Sequence, residues 1–132
     1  MIIGKFPNLR LRRSRRSDWS RRLIAENNLT PSDFILPIFL IDGKNKKEPI
    51  KSMPGVYRYT LDKLSHFVEK AINNRIPMVA LFPYTKKIKK NALGTEALNE
   101  DNLVCRAIQL IKKRYKNEIG IMTDVALDPY TS

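Results

Sequence analysis

Three short apolar runs limit what this chain can become. "FILPIFLI" (34–41), "IPMVALFP" (76–83) and the stretch 119–125 inside "EIGIMTDVALD" are each too short for an ordinary helix. All are rich in residues that favour strands, and none alternates apolar with polar as a half-solvated strand would. Strands that are apolar on both faces belong to the interior of a parallel sheet covered by helices. Pro37 interrupts the first run, and a proline is tolerated there only where its missing N–H faces no neighbouring strand.

The segments between the runs supply the helices. Thr60 stands where a helix cap is expected, and Leu61, Leu64, Val68, Ala71 and Ile72 recur on one face after it. A second helix is expected from about Glu100 to Lys116, with Leu103, Val104, Ala107, Ile108, Ile111 and Tyr115 inward. Residues 42–60 read as a loop or small hairpin, and "YTKKIKKNALGTEALNED" as a long polar loop. The strands begin near Phe34, Pro77 and Ile119, at spacings of 43 and 42 residues. In both complete units the long loop follows the strand and the return from helix to strand is short. That asymmetry is the mark of an (α/β)8 barrel, whose site-bearing loops follow its strands. A dinucleotide-binding sheet is not indicated, because "LIDGKNKK" has one glycine and no GxGxxG. Eight such units need on the order of 300 residues, and 132 residues hold just over two. The reading is therefore the first three strands and two helices of a barrel, and a longer parent is expected.

The first 25 residues carry eight Lys or Arg against the single acid Asp18, whereas the whole chain has a net charge of +12. An arm of this kind suits a phosphate backbone, an acidic partner, or carboxylates on another subunit of an oligomer. In outline it also resembles a transit peptide. Within it, Ser17 is placed to cap a short helix with Trp19, Leu23 and Ile24 at helical spacing, ending near Asn27–Asn28. Residues 1–32 are read as this arm and 33–132 as the barrel portion. No run approaches the roughly 20 apolar residues needed to cross a bilayer. Cys105, the one cysteine, falls on the apolar stripe of the second helix and is expected to be a buried structural thiol, which suits a reducing compartment. His66, the one histidine, falls off its helix stripe and is expected to face solvent.

"SMPGVYR", "PMVALFP", "LVCRAIQLIK" and "TDVALDPYTS", with "LRLRRSRR" leading into "LTPSDFILPIFL", resemble the delta-aminolevulinic acid dehydratase (porphobilinogen synthase) family in order and spacing. The resemblance runs from about Leu9 to Ser132. It implies a barrel whose arm embraces a neighbouring subunit, usually in an octamer, in the cytoplasm. The implied reaction joins two molecules of 5-aminolevulinate into porphobilinogen with loss of water, in tetrapyrrole synthesis. It also implies two Schiff-base lysines on later strands, so no catalytic role passes to Lys86, Lys87, Lys89 or Lys90. Asp124 matches the family's active-site aspartate. Ala126 and Asp128 stand where zinc-dependent relatives have two cysteines. Alanine offers no ligand and Asp128 is a hard oxygen donor, so the resemblance is to members without catalytic zinc, assisted by magnesium or a monovalent cation. Asp128 is thus the expected metal or substrate contact. Tyr130, Thr131 and Ser132 match the family run without separable roles. The arm's arginines are then expected to pair between subunits; the alternative is a small basic module that binds RNA or an acidic partner through Arg12, Arg13, Arg15 and Arg16.

Overall fold

A computed structural model of the chain describes residues 4–132; the first three residues of the expected arm lie outside the described ones. The three apolar runs form strands β1 (Ile35–Ile41), β4 (Met78–Tyr84) and β5 (Gly120–Thr123). They lie parallel, with β4 between the other two. The sheet as a whole is mixed. Residues 42–60 do form a hairpin, of strands β2 (Lys47–Pro49) and β3 (Tyr57–Tyr59), and β3 pairs parallel with β1 at Phe39 and Leu40. The sheet therefore has five strands in the order β2-β3-β1-β4-β5, not three. Because β3 pairs with β1 only at those two residues, Pro37 has β4 beside it, opposite Ala80, and no register partner on β3. A proline fits such a half-edge position.

Side-chain alternation divides the sheet into two unlike faces. Ile38, Leu40, Val79 and Leu81 point to the side covered by helices α2 (Leu64–Asn73) and α3 (Leu103–Tyr115). There they pack with Leu64, Val68, Ala71, Leu103, Ala107 and Ile111, most of them fully buried. The helical stripes expected from the sequence are these core residues. Arg114 and Tyr115 of α3 both bond Glu69 of α2, at 2.8 and 3.0 Å, and tie the two helices together. On the opposite face Phe39 stacks on Phe82, with ring centroids 5.4 Å apart, and no described helix covers them. Phe82 and Met122 are 40% and 44% exposed there.

Several boundaries differ from the sequence reading, each for a local reason. β5 stops at Thr123, where its register with Leu81 of β4 ends, so Asp124 and Val125 lie outside the strand and Val125 is fully exposed. Thr60 does not cap α2. It is fully buried, and its hydroxyl accepts from the Lys46 amide at 3.0 Å, holding the loop after β1 to the start of the helix. A short 3-10 turn, Leu61–Lys63, precedes α2. Helix α3 starts at Leu103, because Asn102 caps it: the side-chain oxygen accepts from the Cys105 amide at 2.9 Å. The arm helix α1 (Asp18–Leu23) does begin after Ser17, but it runs only six residues and ends before Asn27. Its apolar residues find little to pack against: Trp19 and Leu23 are 65% and 78% exposed. Cys105 is half-buried, not buried, because it lies about 200° around α3 from Leu103 and Ala107, which press against the sheet. His66 is exposed as expected, its ring edge against Phe67. Among the described residues no helix is long and apolar enough to cross a membrane.

Candidate active site at the strand C-termini

The three long parallel strands point the same way, so their C-terminal ends gather the residues that follow them. These are Asp42 after β1, the loop 85–102 after β4, and Asp124 after β5. By alternation Asp42 continues the helix-covered face and Asp124 the open one.

Asp42 is held by two cations. Its carboxylate accepts a close hydrogen bond from the Arg106 guanidinium of α3, and its other oxygen lies 3.3 Å from Lys89 Nζ. Lys89 also donates to Glu96 at 3.0 Å. Burial pushes the Asp42 carboxyl up, but the bonds from Arg106 and Lys89 outweigh it and hold the group below the ordinary carboxylate value. Lys89 is raised, chiefly by its bond to Glu96. A lysine that must attack a carbonyl needs the opposite shift, so Lys89 is unsuited to Schiff-base chemistry.

Asp124 is exposed, and among the described residues it joins no hydrogen bond or ion pair. It stands on the rim between two clefts. One, of about 250 Å³, opens on the uncovered face and is lined by Ala80, Phe82 and Met122 among others. The other, of about 80 Å³, is narrower and is bounded by Val104, Ala126, Pro129 and Tyr130. Burial pushes the Tyr130 phenol up, with the charges of Cys105 and Glu96 adding to the shift, so it stays a neutral hydroxyl. Asp128 is also exposed and lines neither cleft. The two carboxylates picked out from the sequence are therefore not brought into one pocket. Among the described residues no three His, Cys, Asp or Glu side chains gather as a ligand set. With alanine at 126, these residues do not by themselves fit a zinc centre. A larger cavity of about 540 Å³ lies beside the narrow one, with Tyr84, Thr85, Lys87, Lys90, Thr131 and Ser132 in its wall.

Asp42, Glu96 and Arg106 carried no weight in the sequence reading. One signal for Asp42 was present: like Asp124, it is a carboxylate directly after a buried strand. Nothing local marks Arg106, which meets Asp42 across 64 residues. In the arm, Arg12, Arg13, Arg15 and Arg16 are exposed and form no ion pair among the described residues, while Arg21 and Arg22 pair with Asp18 of their own helix.

Comparison with known proteins places this arrangement. The family model for delta-aminolevulinic acid dehydratase matches residues 8–132. The delta-aminolevulinic acid dehydratase of Bradyrhizobium diazoefficiens is 51% identical over 124 residues, which cover 94% of this chain and 35% of that protein. That of Chlamydia pneumoniae is 39% identical over 123 residues, 93% of this chain and 37% of that protein. Among solved structures, the delta-aminolevulinic acid dehydratase (porphobilinogen synthase) of Toxoplasma gondii ME49, in complex with the reaction product porphobilinogen, superposes with a TM-score of 0.83. It is 36% identical, over 94% of this chain and 35% of that one. The chain thus spans about a third of the length of the relatives it matches. On the family match and on the shared fold, the chain belongs to the delta-aminolevulinic acid dehydratase family.

Proposed function

We propose that this chain is the N-terminal portion of a porphobilinogen synthase, a lyase that condenses two molecules of 5-aminolevulinate into porphobilinogen with loss of water. The likeness to a product-bound porphobilinogen synthase over nearly all of the chain carries the reading. On this reading β1, β4 and β5 are the first three strands of an (α/β)8 barrel, residues 33–132 its first part, and the open sheet face its interior. The Phe39–Phe82 stack then belongs to a packed barrel core. Residues 1–32 are the oligomerisation arm, whose exposed arginines and exposed Trp19 and Leu23 would find partners on a second subunit, in an octamer as in the family. The location proposed is the cytoplasm.

Asp124 is the proposed active-site carboxylate. Barrel chemistry takes place at the C-terminal ends of strands, and an exposed aspartate without a protein partner there is free to hold a substrate ammonium group or to take a proton. The Schiff-base lysines are proposed to lie on later strands, so residues 1–132 alone are expected to be inactive. If an ion assists, Asp128 offers it a single oxygen donor, which suits magnesium or a monovalent cation and not zinc. The test is to replace Asp124 by Ala in the complete enzyme that carries this chain. A fall in kcat of about 100-fold or more at unchanged stability is expected for a group acting in proton transfer. Wild-type turnover in the Asp124→Ala enzyme would remove Asp124 from the site.

A further inference from the structure

The loop after β4 is long, polar and rich in lysine, yet it is not loosely placed. Lys89 is clamped between Asp42 and Glu96, and Asp42 is fixed in turn by Arg106. Two residues after Lys89, Asn91 meets the segment that carries the candidate site. The Asn91 amide donates to the Tyr130 carbonyl at 3.2 Å, and the Ser132 amide donates back to the Asn91 carbonyl at 3.2 Å. The Asn91 side chain organises its own loop, accepting from the amides of Leu93 and Thr95 at 3.1 and 3.2 Å. Gly94, in a left-handed conformation with φ +61°, turns the loop beside Leu127, Tyr130 and Thr131. Residues 127–131 close on themselves through the Tyr130 and Thr131 amides, which both donate to the Leu127 carbonyl.

The connectivity runs from the end of β1, through one lysine, to the backbone just past Asp124 and Asp128. Both carboxylates of the clamp are largely shielded, with Asp42 and Glu96 side chains 22% and 15% exposed. Such pairs are screened less by salt than surface pairs and hold a defined geometry. The segment 124–132 has no strand or helix of its own, so its place depends on what it leans against.

We propose that Asp42, Lys89, Glu96 and Arg106 form a positioning network that fixes the segment bearing Asp124 by pinning the β4–α3 loop against it. The network touches no reacting atom in this scheme. It acts through Asn91, and it rests on the proposed function only for its effect on turnover.

The test uses the complete enzyme that carries this chain, with Asp42→Asn and Lys89→Met as disrupting variants and Asp42→Glu and Lys89→Arg as conservative ones. Amide hydrogen exchange is followed in peptides covering 89–94 and 127–132, against core peptides from β1 and α2. The disrupting variants are expected to speed exchange roughly tenfold in both site peptides and leave the core unchanged, as a local opening does. They should also lower kcat by about 10- to 100-fold with little change in KM, the cost of a slightly misplaced group, and the conservative variants should recover most of both effects. Unchanged exchange at 127–132, an equal rise in the core, or no rescue would overturn the proposal. If wild-type protein makes no porphobilinogen, the proposed function fails, and the exchange result still decides the network.

Discussion

Replacing Asn102 by Ala separates capping from general packing at the start of α3. Asn102 is 5% exposed, its side-chain oxygen takes the Cys105 amide at 2.9 Å, and its carbonyl takes the Arg106 amide at 3.1 Å. Truncation removes the first of these bonds and leaves a donor in a shielded position with no partner. Loss of a cap typically costs about 1 kcal/mol, and an unsatisfied buried donor about 1–3 kcal/mol. The two figures describe one event and do not add, so about 2 kcal/mol is expected, a shift of roughly 30-fold in the folding equilibrium. Asn102→Ser restores an oxygen acceptor without placing a charge in a shielded site and should stay within about 0.5 kcal/mol of wild type. Urea unfolding of the three proteins measures the differences. A second readout is local: Cys105 lies in the first turn and is half-buried, so its alkylation rate should rise in the Ala variant and not in the Ser variant. An Ala variant as stable as wild type, or a Ser variant as damaged as Ala, would show that the cap does not set the start of this helix.

Other expectations follow from the same structure. Ile111→Ala empties a fully buried position between α3 and the sheet and should cost about 2–5 kcal/mol, whereas Ile88→Ala, 91% exposed in the polar loop, should stay within about 0.5 kcal/mol; denaturant titration compares them. Gly94→Ala meets only ordinary contacts, the Thr131 methyl at 3.4 Å being nearest, but forces a side chain into left-handed backbone; a loss of about 1 kcal/mol by the same titration is expected. The Asp42 carboxyl lies below its ordinary value, so the stability it contributes is present above the unfolded value of about 4 and is lost as pH falls through the lower folded one. Lys89 is raised, so its contribution is present below about 10.4 and is lost only as pH rises through a still higher value. Exchange protection at 127–132, corrected for intrinsic rate, should therefore hold from neutral pH to near pH 5 and fall below about pH 4; protection that survives there would contradict the assignment.

The layered core was legible because burial on both strand faces and a one-sided helix stripe leave direct marks in composition. Leu64, Val68, Ala107 and Ile111 stand where the 3.6-residue period puts them. The hairpin was half legible. Gly and Pro announce turns, but nothing local says that Tyr57–Tyr59 will lie against β1 and make the sheet mixed. Thr60 looked like a cap and is instead a buried tie to Lys46, since a hydroxyl near a helix start has two ways to be satisfied. At the site, Asp124 was picked out because a family pattern names it and because it closes an apolar run, and it lies exposed just past the end of β5. Asp42, Lys89, Glu96 and Arg106 were not found. Their association is a property of three elements meeting in space, and charged residues in a polar loop carry no mark of their partners.

Turnover of 5-aminolevulinate by the complete enzyme that carries residues 1–132 tests the central claim most directly. The account predicts porphobilinogen, with two substrate molecules consumed for each product formed. A folded, intact protein that leaves 5-aminolevulinate unchanged, or converts it to something other than the pyrrole, would contradict it.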